Sequence, residues 1–303
     1  MTKIFYKPLF TIILLFTAFT AFSATVIDTV KRDSVKKDTA KEKATIKFGV
    51  DYLSDNVFMG RTGLVATPTI APEVKYTFKS GFYFSGALDY LPNNKTKNLD
   101  GGDIAAGYDF DLTDDLTGGI SFTKLFAGAN SNRIGSSISS TFNANLDYDF
   151  GDIITASVSA DYNLNKQGVN NDEIANFGLS HDFIALKIFA EKDLILISPT
   201  VAANMGTQNF YDAYLTKKVF KNAKRTANQN ALITQFEQNV NQFKLLDYEL
   251  SLPLEYKAGH FIFQFTPTYA IVENGFKPAA AKALGVADQA SVFYFTTGVA
   301  LKF

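Results

Sequence analysis

Residue types that do covalent chemistry are scarce in this chain of 303 residues, which has two histidines, no cysteine and no tryptophan. Nucleophilic catalysis needs a base beside a Ser or Cys, and histidine is the usual base. His181 and His260 stand apart, each in a segment that reads as a strand near a tight turn, and His181 shares its face with Ala175, Phe177 and Leu179. No HExxH, P-loop, GxSxG or cysteine pair occurs. Two isolated histidines are a poor metal-ligand set. The expectation is therefore no enzyme, no metal and no cofactor.

What remains is charge. Carboxylates recur at Asp51, Glu73, Asp89, Asp103, Asp109, Asp111, Asp147, Asp149, Asp161, Asp182, Glu191, Asp193, Asp247, Glu249 and Glu255, against Lys47, Lys75, Lys187 and Lys302. All fall on the polar phase of alternating segments, so one wall would carry them together. Carboxylates ringing a water-filled space favour cations. A second cluster is basic: Lys217, Lys218, Lys221, Lys224 and Arg225 lie in a long insertion over residues 206–241. There Leu232, Ile233, Phe236 and Val240 have helical spacing, which predicts a short helix folded over or into a mouth.

The elements that position these charges are strands. In residues 138–150, Ile138, Phe142, Leu146, Tyr148 and Phe150 alternate with Ser139, Thr141, Asn143, Asn145, Asp147 and Asp149. Side chains of a strand point alternately to its two faces, so one face is apolar and the other wet. Twelve such segments are predicted: 45–58, 69–78, 81–92, 102–112, 115–127, 135–150, 152–165, 172–183, 185–198, 242–257, 259–273 and 288–303. Connections after even strands are tight, at Lys79-Ser80, Thr113-Asp114, Gly151-Asp152, a junction near Ile184, and Ala258-Gly259. Those after odd strands are long. Strict alternation of short and long connections is the pattern of transmembrane barrels, with short periplasmic turns and longer extracellular loops. Most segments also exceed the roughly 5–6 residues usual in soluble sheets.

Residues 1–23 read as a signal peptide: Lys3 and Lys7 precede an apolar run over 9–22, and Ala21 and Ser23 supply small residues at the cleavage site. Residues 24–43 are polar and charged, the composition of a flexible periplasmic leader. Residues 44–303 form the barrel. Net charge is −1, which gives no case for a nucleic-acid partner.

Two stretches resemble known outer-membrane proteins. Phe293, Phe295, Val299, Leu301 and Phe303 share one face of the last strand, and the final residue is aromatic. This resembles the C-terminal insertion signal of bacterial outer-membrane barrels, which implies engagement with the barrel-assembly machinery. Residues 50–60 resemble the opening strand of the TorF-type porin family, whose phrase is close to SDYVFRG. Ser54, Asp55, Val57, Phe58 and Gly60 match, Asn56 and Met59 replace its tyrosine and arginine, and Arg61 falls beyond the glycine. The resemblance implies an all-β transmembrane barrel in the cell outer membrane, surrounded by lipid, acting as a porin-like channel for small solutes. The carboxylates on the wet face add an expected cation preference. The alternative is a non-conducting structural or accessory subunit bound to other outer-membrane proteins.

Overall fold

Alternation at period two produces twelve antiparallel strands. The computed structural model describes residues 43–92, 98–128, 131–166, 169–220, 225–275, 278–286 and 291–303, so the expected signal peptide and all but the last residue of the leader lie outside the described residues. Seven unbroken strands come first: β1 Thr45–Leu53, β2 Thr69–Thr77, β3 Phe82–Tyr90, β4 Leu99–Asp111, β5 Leu116–Ala127, β6 Ile138–Phe150 and β7 Ile154–Asn165. Three strands are each interrupted once. They are β8 (Asp172–Ser180, then Phe183–Leu186), β9 (Asp193–Ile197, then Thr200–Gly206) and β10 (Lys244–Ser251, then Leu254–Ala258). β11 Phe261–Val272 and β12 Ser291–Lys302 complete the wall. Each strand pairs with its sequence neighbour, and β12 returns to pair with β1, Lys302 opposite Lys47. The sheet is thus closed.

Five connections, at 78–81, 112–115, 151–153, 187–192 and 259–260, are tight and gather at one end with the start of β1 and the end of β12. Six longer ones, at 54–68, 91–98, 128–137, 166–171, 207–243 and 273–290, gather at the other. We call these the turn end and the loop end.

The eighth and ninth strands depart from the sequence expectation. A tight turn near Ile184 was the natural reading, but the chain runs on through Leu186 and turns at 187–192. That segment contains no Gly, Pro or Asn. The turn is made instead by the Asp193 carboxylate, which accepts the N–H groups of Phe189 (2.7 Å) and Ala190 (2.9 Å), and by Lys187 in a left-handed conformation (φ 58°). A side-chain carboxylate satisfying local N–H groups substitutes for turn chemistry. Consequently Lys187 and Glu191 leave the wet wall for the turn, Asp193 shares the outward face of Tyr256 and Ala258 instead of the wet wall, and Asp182 and His181 fall in the break of β8. The ninth strand, expected to end at 198, runs on to Gly206, so the connection after it begins at 207.

The three interruptions lie side by side, because Thr200 is opposite both Ser180 and Ser251. Pro199 and Pro253 sit in two of them. Proline cannot donate to a ladder, and the neighbouring groups adapt: Ser198 N–H donates to Pro253 O (2.9 Å) and Leu252 N–H to Pro267 O (3.1 Å).

The outer face carries the apolar phase of every strand, including Phe48, Phe84, Ile104, Phe142, Phe177, Leu250, Phe263 and Phe293, all exposed. In water that would be an aggregation surface; against acyl chains it is the favoured one. Rings cluster towards the turn end: Phe82 on Tyr108 (4.8 Å), Tyr148 on Phe150 (4.5 Å) and Tyr256 on Phe263 (6.1 Å). Aromatic girdles of this kind mark the interface level of membrane barrels. No helix among the described residues is long and apolar enough to cross a membrane.

Two measurements follow. The barrel should migrate differently on detergent gels before and after boiling, with a strand-dominated circular dichroism spectrum; a helix-dominated spectrum would contradict the fold. Gly298 seats the Asp51 side chain, since any Cβ there would meet its Oδ1. Gly298→Val should destabilise the barrel by about 1–3 kcal/mol, read as a lower temperature for loss of the unboiled band.

Candidate channel lumen and plug

The inward phase of the strands assembles most of the carboxylates picked out from sequence. Cross-strand partners place Asp51, Glu73, Asp89, Asp103, Asp109, Asp111, Asp147, Asp149, Asp161, Asp247, Glu249 and Glu255 on the inner wall. Lysines are set among them. Lys47 pairs with Glu73 (2.7 Å), Lys75 reaches Asp109 (3.7 Å) and covers the Tyr83 ring (3.7 Å), and Lys257, which the sequence reading passed over, pairs with Glu255 (2.7 Å). Neutral amides fill the gaps: Asn143 donates to Asp161 (2.6 Å) and Asn176 to Ser159 (2.9 Å). Tyr294 donates to Glu249 (2.9 Å) and Gln264 to Glu255 (2.9 Å).

The wall is wet at the turn end and dry at the loop end. The Asp109 side chain is 56 % exposed and Glu73 28 %. Asn163, Asp172, Asn204 and Asp247, at the loop ends of their strands, are buried. What buries them is a plug built from the long connections. Its core is Ile134, Phe210, Tyr211, Tyr214, Leu215, Ile233, Ala281 and Leu284, with Phe58, Leu232 and Phe236 packed against it. Three helices supply most of these: α1 Asn209–Leu215, α2 Ala227–Val240 and α3 Pro278–Leu284. The helical spacing of Leu232, Ile233, Phe236 and Val240 is realised in α2. A reciprocal capping box starts that helix, Gln229 N–H to Thr226 Oγ1 (3.2 Å) and Thr226 N–H to Gln229 Oε1 (2.9 Å).

Asp172 anchors α1 from the wall. Its carboxylate accepts the N–H groups of Asn209 (2.7 Å) and Phe210 (2.9 Å) and the Thr207 hydroxyl (2.7 Å). It thus caps helix donors that Gln208, the residue before the helix, leaves open.

The stretch likened to TorF-type porins is the other anchor. Phe58 and Arg61 exchange backbone hydrogen bonds (3.0 and 2.9 Å) around Met59 (φ 49°) and Gly60 (φ 69°). Two positive φ values make this a type I′ turn. The hairpin is folded against the plug, with Phe58 edge-on to Phe210 (4.8 Å). A Cβ at Gly60 would lie 2.9 Å from the Asp247 carboxylate, so glycine is required twice over. Ser54 ties the base of the loop to Phe295 by two bonds, and the Asp55 carboxylate accepts the Asn56 and Thr67 N–H groups.

Arg61 is fully buried and joins three loops. Its guanidinium donates to Gln208 Oε1 (2.7 and 3.1 Å), Leu246 O (2.8 Å), Glu273 O (2.8 Å) and Met59 O (3.2 Å). Burial lowers its pKa to about 10, opposed by Tyr211 and Asp247, so it stays cationic at neutral pH. Arg133 does similar work at the same loop end, bridging Asp89 and Asp100. Sequence reasoning missed Arg61, Arg133 and Asp172. A lone arginine directly after a glycine that ends an aromatic strand was the signal available for the first.

The described members of the basic cluster do not line the wet wall. Lys217 is exposed, Lys218 is half-buried and donates to Asn132 Oδ1 (2.6 Å), and Arg225 is exposed. Lys221 and Lys224 lie outside the described residues. Phe293, Phe295, Leu301 and Phe303 share the outer face of β12. Phe303 exchanges backbone bonds with Ile46 (2.9 and 3.0 Å) and stacks on His260 (4.9 Å), which seals β12 to β1. His260 Nδ1 donates to Lys302 O (2.7 Å) and His181 Nδ1 to Ile153 O. Among the described residues no group of three or more His, Cys, Asp or Glu could hold a metal ion.

No protein-family model matches the chain, and no curated protein matches it. Among solved structures it is similar to the KdgM porin (9 % identity, 86 % of this chain and 99 % of that one, TM-score 0.44). It is similar to the NanC porin (12 %, 85 % and 100 %, 0.43) and to LpxR from Salmonella typhimurium (8 %, 85 % and 99 %, 0.37). The geometry of the chain itself, not these likenesses, carries the functional reading.

The plug should respond to pH. Burial pushes the Asp212 carboxyl on α1 up to about 6, with Glu237 on α2 adding to the shift. A carboxyl whose folded pKa is raised binds its proton more tightly in the packed state, so the plug gains stability as pH falls from about 6 towards 4. Protease protection of the loops should therefore increase over that window, and Asp212→Asn should abolish the change. Arg61→Met leaves buried acceptors orphaned at about 1–3 kcal/mol each. It should loosen the same loops to protease without altering the strand spectrum.

Proposed function

We propose that the protein is an outer-membrane channel for small solutes, cation-preferring, whose loop-end mouth is closed by a folded plug in the conformation described. The observation that carries this reading is the gradient along the inner wall: solvated carboxylates from the turn end upward, meeting a dry, stapled plug at the loop end. Twelve strands enclose more space than the eight that side chains can fill. The apolar outer belt and closed backbone ladder support a membrane setting. Long loops at one end support placing that end outside the cell, with both strand termini in the periplasm. Carboxylates exceed lysines on the wall, which supports cation preference.

A second reading is favoured by the plug itself. Its apolar core and the burial of Arg61 would equally suit a non-conducting structural or accessory subunit of a larger outer-membrane assembly.

Single-channel recording of the purified barrel in planar bilayers separates the two. Under the channel reading the wild type opens rarely, Arg61→Met opens often, and reversal potentials in a salt gradient show cation preference. That preference should weaken towards 1 M salt, where the screening length is about 3 Å. Silence of both proteins would overturn the channel and leave the accessory subunit.

A further inference from the structure

The outer wall carries a pair of cations near its loop end. On β5 the outward phase is Ile120, Phe122, Lys124 and Phe126, and Lys124 is the one cation of that row. Its ammonium donates only to a neutral oxygen, Ser140 Oγ of β6 (3.2 Å). Lys166, just past β7, reaches over β6 to Ala127 O (3.5 Å), again a neutral group. Both lysines line a single depression of about 450 Å³ on this wall, with Leu99, Phe126 and Ser139. Lys217 and Arg133 add to the positive field at Lys166, and Asp100 opposes it. The Asp100 carboxylate, however, is taken up by Arg133 (2.8 Å) and the Ser131 hydroxyl (2.5 Å). On β8, Glu173 faces outward across from Tyr162, one strand further round.

An ammonium on a lipid-facing wall is costly unless it reaches the interface and meets an anion there. Lys124 lies three residues from the loop end of β5, within snorkelling reach of the headgroup level. We propose that this depression binds a phosphate group of a membrane lipid in the leaflet at the loop end, with Lys124 and Lys166 as its two cationic contacts and the flanking Leu99 and Phe126 against the acyl chains. The site rests on the membrane reading above but not on conduction.

The test uses the full chain in phosphatidylcholine nanodiscs carrying either bisphosphorylated lipid A or its dephosphorylated counterpart, with retained lipid counted by native mass spectrometry. Wild type should retain the phosphorylated form. A Lys124→Ala/Lys166→Ala double variant should lose it by about thirty-fold, as two lysines acting on an anionic headgroup imply. Lys124→Arg/Lys166→Arg should restore it, and Lys282→Ala, an exposed cation on α3, should leave it unchanged. The unboiled gel band confirms that each variant is folded. Equal retention of the two lipids, or no loss in the double variant, would overturn the proposal while leaving the channel untouched. Displacement of the lipid by inorganic phosphate at matched concentration would assign the site to a free anion and overturn the lipid source. Failure of the wild type to enter nanodiscs at all would overturn the membrane reading and this site with it.

Discussion

Everything in this molecule depends on backbone hydrogen bonds that must all be made within the wall. In hydrocarbon an orphaned N–H or C=O costs several kcal/mol, so a spanning sheet cannot have edges. The pairing of β12 with β1, sealed by the reciprocal pair of backbone hydrogen bonds between Phe303 and Ile46, is what converts a row of hairpins into a membrane structure. The outer face can then be apolar because it no longer meets water, and the inner face can be polar because closure turns it away from hydrocarbon and sets its polar groups against one another. Two prolines are tolerated only where the wall relaxes, in adjacent interruptions of β9 and β10, where nearby N–H groups turn to proline carbonyls.

The loop end obeys a different rule. Long loops in water are ordinarily exposed and mobile, yet here they have their own apolar core, resting on the barrel mouth. The plug is pinned by charges that would be expensive elsewhere. Arg61 spends its donors on the Gln208 amide and on the carbonyls of Leu246, Glu273 and its own neighbour Met59, and Asp172 caps α1 from the wall. Such contacts are directional and all-or-none: removing one partner leaves several buried groups unsatisfied. Asp212 lies within the plug, and burial together with Glu237 raises its pKa, so the packed plug favours the protonated carboxyl.

Much of this was legible in the sequence. Period-two alternation gave about twelve strands, their apolar and polar faces, and most of the carboxylates that share the inner wall, because side-chain direction in a strand is a local property. Alternating connection lengths told the two ends apart, and 3.6-residue spacing found α2. The turn between β8 and β9 was misplaced because no glycine, proline or asparagine marks it; Asp193 does that work from beyond the turn, accepting N–H groups three and four residues before it, whereas the usual Asp turn signature precedes the groups it binds. The plug was beyond sequence reading for a plainer reason. Arg61 meets Gln208, Leu246 and Glu273 across 147, 185 and 212 residues of chain. Local pattern declares that a residue is polar and faces inward, but which distant groups converge on it is decided only when the barrel closes and brings its loops to one mouth.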